Sequence, residues 1–391
     1  MTHSPVRTSA VLVFAAVALC VAGAVVEAGP INPPAGPVAP TPGPEPRIAI
    51  NAANTAGDTN SLFRIAQPGS YYLTGNVTGE AAKYGIEIAA SGVTIDLNGF
   101  DLLGVAGSLD GIAATGGNQR NITIRNGSVR NWGGDGIDLF TTTNLSRVEG
   151  VHSSGNVGDG IRPGDGGLVV NCNASYNGDD GITSSLTVIG CVARNNTGNG
   201  ILILNGGSVT DSSAFDNTGH GIYAGNGCNV TNCTSRDNGD GIIAFGDSLI
   251  KDCSTVSNTG YGINGQQGTT IIDCIASENG SDGIIVLSQS LVRGNTCTGN
   301  TSDGIFVSSS GENRIEGNHM AGNGRGLHVI GPGNVIMKNT ASGNTIINWL
   351  IAADNVVAPI IDRTAVVSAA INGNSAPSST GTADETANFT H

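Results

Sequence analysis

The chain has 391 residues, with 31 Asp and Glu against 17 Lys and Arg, and a net charge of −14. That balance excludes nucleic-acid binding, which needs a basic face, and with three Lys the chain is poorly equipped to hold a polyanion by charge alone. Sixty Gly, 4% aromatics and an abundance of Asn, Ser, Thr, Val and Ile favour strands and turns over helices.

At the N-terminus, Arg7 is the only formal charge among residues 1–26, and the apolar run AVLVFAAVALCVAGAVV follows at 10–26. This pattern, ending at small residues near Val26-Glu27-Ala28, predicts a signal peptide over 1–28 and a secreted, cell-surface or periplasmic protein. An uncleaved anchor is the alternative, since the uncharged stretch approaches membrane-spanning length. Residues 29–46 contain eight of the fourteen prolines and read as an extended linker. The folded part is therefore expected over 47–350, with a C-terminal cap and tail over 351–391.

Internal repetition settles the architecture of the folded part. A Gly-Ile pair begins at Gly85, Gly111, Gly136 and Gly160 and recurs through Gly304, with Gly326-Leu327 closing the series. From Gly160 the steps are 21, 19, 21, 20, 21, 21, 21 and 22 residues. Further columns travel with it. An aliphatic column includes Val169, Val188, Val209 and Val230, and three residues later comes a small or polar column with Cys172, Cys191, Ser212, Cys233, Cys253 and Cys274. Two residues beyond lies a second small column, with Ala174, Ala193 and Ala214. An unbroken asparagine column then runs through Asn156, Asn177, Asn196, Asn217, Asn238, Asn258, Asn279 and Asn300 to Asn344, and Asn131 is placed one period earlier.

One such period holds two or three short strands and cannot bury its apolar face alone. Stacked periods can, each strand pairing in parallel with its equivalents ~4.8 Å above and below. The small columns, two residues apart, share a strand face and suit a narrow interior, so the cysteines read as a buried ladder of free thiols. The Asn column reads as a ladder of side-chain amides bonding from coil to coil. The fold expected is all-β, a single-stranded right-handed parallel β-helix of about twelve coils.

These columns resemble those of the right-handed parallel β-helix proteins of the pectin-lyase-like type, with short NosD-like repeats, over roughly residues 60–350. The resemblance implies an extracellular protein that binds or processes a polysaccharide. It leaves open a non-catalytic, adhesive surface solenoid, because the fold hosts both. In the pectin hydrolases of this type, paired aspartates and a histidine act on neighbouring coils. The segment NTGHGIYAGNG (217–227) and GDDGI (178–182) supply His220, Asp179 and Asp180, but Asp180 and His220 stand two periods apart with Asn199 between them.

The column preceding Gly-Ile reads Tyr84, Asp110, Asp135, Asp159, Asp180, Asn199, His220, Asp240, Tyr261, Asp282, Asp303, Arg325. Its variety marks a solvated turn position. The catalytic candidates it offers are His220, Asp180 and Asp240. Stacked in register, Asp135, Asp159 and Asp180 are candidates for Ca²⁺, which takes oxygen ligands of this kind. Trp132 is the candidate for stacking on a sugar ring, with Arg130 and Arg162 as basic substrate-binding partners.

Overall fold

The chain divides into two units, Met1–Glu45 and Pro46–His391, and the second carries the fold. The computed structural model describes residues 47–140, 143–308, 311–362 and 384–391, so the expected signal and linker segments lie outside the described residues. Among the described residues no helix is long and apolar enough to cross a membrane.

Each period contributes three short strands. The Gly-Ile strands, from Ser61–Ile65 to Ile347–Ile351, stack into a 14-stranded sheet, and the other two strands of each coil build a 28-stranded sheet. All named strand pairs are parallel and in register, for example Ile201↔Ile222, Val209↔Val230 and Ala193↔Ala214. The solenoid therefore has fourteen Gly-Ile-type strands, two more than the Gly-Ile pairs mark. The additional ones open and close the stack, where Leu62 and Asn348 replace the glycine.

The inward columns are as the repeat predicts. Val148, Val169, Val188, Val209, Ile250 and Ile271 are fully buried, as are Ile161, Ile182, Ile201 and Ile222 from the other sheet. Among the described residues all seven cysteines are buried and free. The Cys172, Cys191, Cys233, Cys253 and Cys274 thiols each point at carbonyls of their own corner and of the preceding coil. Burial pushes the Cys297 and Cys228 thiols up, which keeps them protonated.

The polar columns make the corners. Two corners in each coil place one residue in the left-handed region: Asn171, Asp211, Asn232 and Asp252 at one, Asn195, Asp216 and Asp237 at the other, with φ between 52° and 58°. Gly and Asx tolerate that conformation best, which is why they recur there. Immediately after the second corner stands the amide ladder. From Asn156 to Asn344 each Nδ2 donates to the Oδ1 of the next rung, at 2.8–3.2 Å. The same Oδ1 atoms also accept a backbone N–H, as Asn238 Oδ1 does from Asn217.

The ladder starts at Asn156, not at Asn131. Asn131 holds the left-handed corner with φ 61°, and Trp132 takes the rung position, its backbone N–H donating to Asn156 Oδ1. Where Asn replaces Cys in the thiol column, a second ladder forms through Asn295, Asn318, Asn339 and Asn388. A third joins Asn313, Asn334 and Asn355.

Candidate functional site

The 14-stranded sheet turns one residue of each strand inward and the next outward. Its outward row reads Glu87, Ala113, Asp138, Arg162, Thr183, Leu202, Tyr223 and Ile243, neighbours in register for most of its length. Beside it, at the entrance to the same strands, runs the column from Tyr84 through Asp110, Asp135, Asp159 and Asp180 to Asn199, His220 and Asp240. Over this stretch charge is concentrated in the first coils and aromatic surface in the later ones; a second charged group, Asp303 with Arg325 and His328, lies toward the C-terminal end.

The Asp column is not a solvated turn. Asp159 and Asp180 are 8% exposed and Asp303 1% exposed. The reason lies in the backbone. Asp110 Oδ1 accepts the Asp135 N–H at 2.7 Å, Asp135 Oδ1 that of Asp159 at 2.7 Å, Asp159 Oδ1 that of Asp180 at 2.9 Å, and Asp180 Oδ1 that of Asn199 at 2.6 Å. Asn199 Oδ1 continues to His220 at 3.1 Å, and Asp240 Oδ1 to Tyr261 at 2.7 Å. One oxygen of each side chain thus ties its coil to the next, and the other is left for chemistry or for a counter-charge.

Stacking these carboxyls raises their affinity for protons. Burial, opposed by the Asp135 N–H and aided by the charges of Asp135 and Asp138, pushes Asp110 up to about 6. Burial and the charges of Asp180 and Asp135 push Asp159 up to about 7. Burial also raises Asp138 and Asp180, and with the neighbouring carboxylates it raises the Tyr84 hydroxyl. Arg162 offsets part of this charge. Its guanidinium lies 3.0 Å from Asp135, 3.2 Å from Asp159 and 3.9 Å from Asp138, and rests 4.9 Å over the Phe140 ring. Thr183 Oγ1 lies 3.1 Å from Asp159 Oδ2 and 3.3 Å from Asp180 Oδ2, one hydroxyl shared between two carboxyls.

Two members of this cluster are not singled out by the repeat alone. Glu87 is 7% exposed, takes Arg64 Nε at 3.3 Å and the Thr115 hydroxyl on Oε1, and leaves Oε2 buried without a partner. Asp138 accepts the Phe140 N–H at 3.0 Å. The signal for both is a charged residue directly after the Gly-Ile pair, where later coils carry Leu202, Ile243 and Ile285.

The expected site residues separate into groups. Arg162, Asp135, Asp159 and Asp180 do come together. Arg130 does not join them: it lies on Thr123–Arg130 of the other sheet, where it bonds Asp101 at 2.7 Å. Trp132 is a core residue, 1% exposed, with its indole N–H on Leu102 O at 3.0 Å, so it cannot stack on a sugar. His220 Nδ1 lies 3.2 Å from Asp240 Oδ2, and this contact, working against burial, holds Asp240 below the usual carboxylate range. Asp180 is two coils away from that pair and reaches it through Asn199 alone.

For Ca²⁺ the fit is partial. Ligand atoms of Asp159, Asp179 and Asp180 lie within 4.8 Å of one another. Asp135, however, has its second oxygen on Arg162, and Asp159 and Asp180 are already engaged by Thr183 and by backbone N–H groups. Ca²⁺ takes roughly six to eight oxygens, and the row reserves most of its own for internal partners.

No curated protein matches the chain by sequence. Among solved structures it is similar to the A-module of the Azotobacter vinelandii mannuronan C-5 epimerase AlgE6, at 18% identity, covering 75% of this chain and 92% of that one with a TM-score of 0.49. It is also similar to a point mutant of the periplasmic alginate epimerase AlgG, at 13% identity over 80% and 82% of the two chains, TM-score 0.43. Tailspike protein 3 of bacteriophage CBA120 matches at 13% identity over 79% and 59%, TM-score 0.47. The family described as the right handed beta helix region matches residues 65–231 and 222–358, and the chain belongs to that family.

Proposed function

We propose that this is an exported protein that binds a polysaccharide along the outer face of its 14-stranded sheet and cleaves it by proton transfer from the carboxyl row. One observation carries the reading. The Asp110 carboxyl has only one oxygen tied down, by the Asp135 N–H at 2.7 Å, and burial with the charges of Asp135 and Asp138 pushes it up to about 6. Its other oxygen makes no hydrogen bond among the described residues, and the carboxyl interacts electrostatically with Tyr84, Asp138 and Arg162. A carboxyl with a raised pKa next to a second carboxylate is the arrangement that glycosidic-bond hydrolysis uses: the first protonates the leaving oxygen, and the second either deprotonates a water that attacks the anomeric carbon or attacks it directly, forming an ester that water then hydrolyses. Asp110 is the acid in this scheme and Asp138 the second carboxylate, its own rise from burial opposed by the Phe140 N–H and the charge of Arg162.

The test is turnover of a polysaccharide panel by the full chain, read as new reducing ends, with and without Ca²⁺; absorbance of unsaturated uronates would instead show β-elimination and overturn the hydrolytic scheme. Asp110→Asn is expected to lower the rate by about 10²–10⁴-fold, with Asp101→Asn, remote from the row, as the unchanged control. Full activity in both Asp110→Asn and Asp138→Asn would remove the row from the mechanism. Binding without turnover across the panel would favour the adhesive, non-catalytic solenoid.

A further inference from the structure

Beyond the carboxyl row the same face carries a groove of about 500 Å³. One wall is formed by Tyr223 and Phe245, whose ring centroids lie 5.2 Å apart at 46°. On the other side of Tyr223, at 6.0 Å and 29°, is the His220 ring, so the tyrosine is held between two neighbours. Leu204, Asn205 and Asn226 also line it, from the turns that follow the strands, the same turns that carry Phe245, and Asp165 adds a carboxylate to the lining. Asn226 N donates to Asn205 Oδ1 at 2.8 Å, which stacks these two exposed side chains in register.

We infer that this groove is a subsite for one uncharged sugar ring of an extended polysaccharide that runs parallel to the solenoid axis. This rests on the proposed function and names its substrate class. A single fixed aromatic ring offers the apolar face of a pyranose a flat surface, and the amides that line the same groove supply donors and acceptors for its hydroxyls. No Lys or Arg lines the groove and its one charged lining group is Asp165, so an anionic sugar would meet only like charge. The orientation follows from the stacking. Tyr223 lies four strands beyond Asp138 in the sheet order, ~19 Å at ~4.8 Å per coil. A sugar unit in an extended chain advances by roughly one coil, so a polymer reaching from Asp138 to the groove spans about five units, and a hexaose covers that distance.

Calorimetric titration of the full chain with β-1,4-linked hexaoses of glucose, mannose and N-acetylglucosamine tests this. At least one is expected to bind, more tightly than its disaccharide. Tyr223→Ala and Phe245→Ala should each weaken that binding by about tenfold or more, while Tyr223→Phe, which keeps the ring, should bind as the wild type does. Equal urea midpoints would show that the variants are folded. Asp110→Asn should bind the hexaose undiminished and fail to turn it over. If Asp110→Asn remains active while Tyr223→Ala loses affinity, the proposed chemistry fails and the subsite stands. Unchanged affinity in both alanine variants, or no binding of any of the three hexaoses, would overturn the subsite.

Discussion

At the scale of single residues, the Asp column does two jobs with its two oxygens, and they can be separated by pH. Asp159 has its pKa raised to about 7 by burial and by Asp180 and Asp135, against a value near 4 for a free side chain. The folded state therefore binds a proton that the unfolded chain releases between pH 4 and 7, and stability must fall as pH rises through that window. Asp159→Asn keeps the backbone-accepting oxygen, as Asn199 does naturally in the same column with its 3.1 Å bond from His220. The variant is expected to have a higher urea midpoint than the wild type at pH 8, with the gap closing toward pH 4. A constant gap across that range would mean that the carboxyl is not the titrating group. In the neighbouring amide ladder the sign is reversed, because nothing replaces the lost partner. Asn238 bonds Asn258 Oδ1, Ala214 O and Ser235 Oγ and accepts from Asn217. Asn238→Ala leaves several of these groups buried and unpaired, at about 3–5 kcal/mol in urea unfolding.

At the scale of the coil, the glycine of each Gly-Ile pair is there for space. A Cβ at Gly160 would lie 2.5 Å from Gly181 O and 2.6 Å from Asn177 Nδ2, and one at Gly181 would lie 2.6 Å from Gly200 O. Gly160→Ala should therefore lower the thermal midpoint by many degrees. Gly75→Ala, where a Cβ meets nothing within 4 Å, should leave it near the wild type. This steric rule explains what could be read in advance. The period, the inward columns and the amide ladder were legible because packing against two identical neighbours forces the same residue type in every coil. The end coils were not, because the rule lapses there: Asn348 follows the last tight contact, and among the described residues no strand of this sheet lies beyond it to clash with its side chain. Trp132 misleads for a related reason. Its place in the rung column is visible only from the corner before it, where Asn131 takes the left-handed conformation that Gly155 takes in the next coil. The acid cluster was half legible: the column before Gly-Ile announces itself, but Glu87 and Asp138 sit in the outward row, whose residues answer to solvent and ligand and follow no repeat.

Across the whole solenoid, each coil touches only its neighbours, so perturbations should stay local. The C-terminal strand Asn388–Thr390 offers a clean test. It pairs with Thr340–Ser342, its Asn388 Oδ1 accepts the Asn339 N–H at 2.9 Å, and Thr386 O accepts the Lys338 N–H at 2.9 Å. Trp349 Nε1 donates to Thr390 Oγ1 at 2.6 Å, closing the end of the stack. Deleting residues 384–391 removes the last rung of the second amide ladder and uncovers that end. Hydrogen exchange should then speed up at the Lys338 and Asn339 amides and across Thr340–Ser342. Protection at Ile137–Asp138 and Ile161–Arg162, under the carboxyl row, should be unchanged, because their hydrogen bonds run only to adjacent coils, many rungs from the deletion. Loss of protection along the whole sheet would instead show that the coils unfold as one cooperative block, and that the carboxyl row depends on the far end of the stack for its geometry.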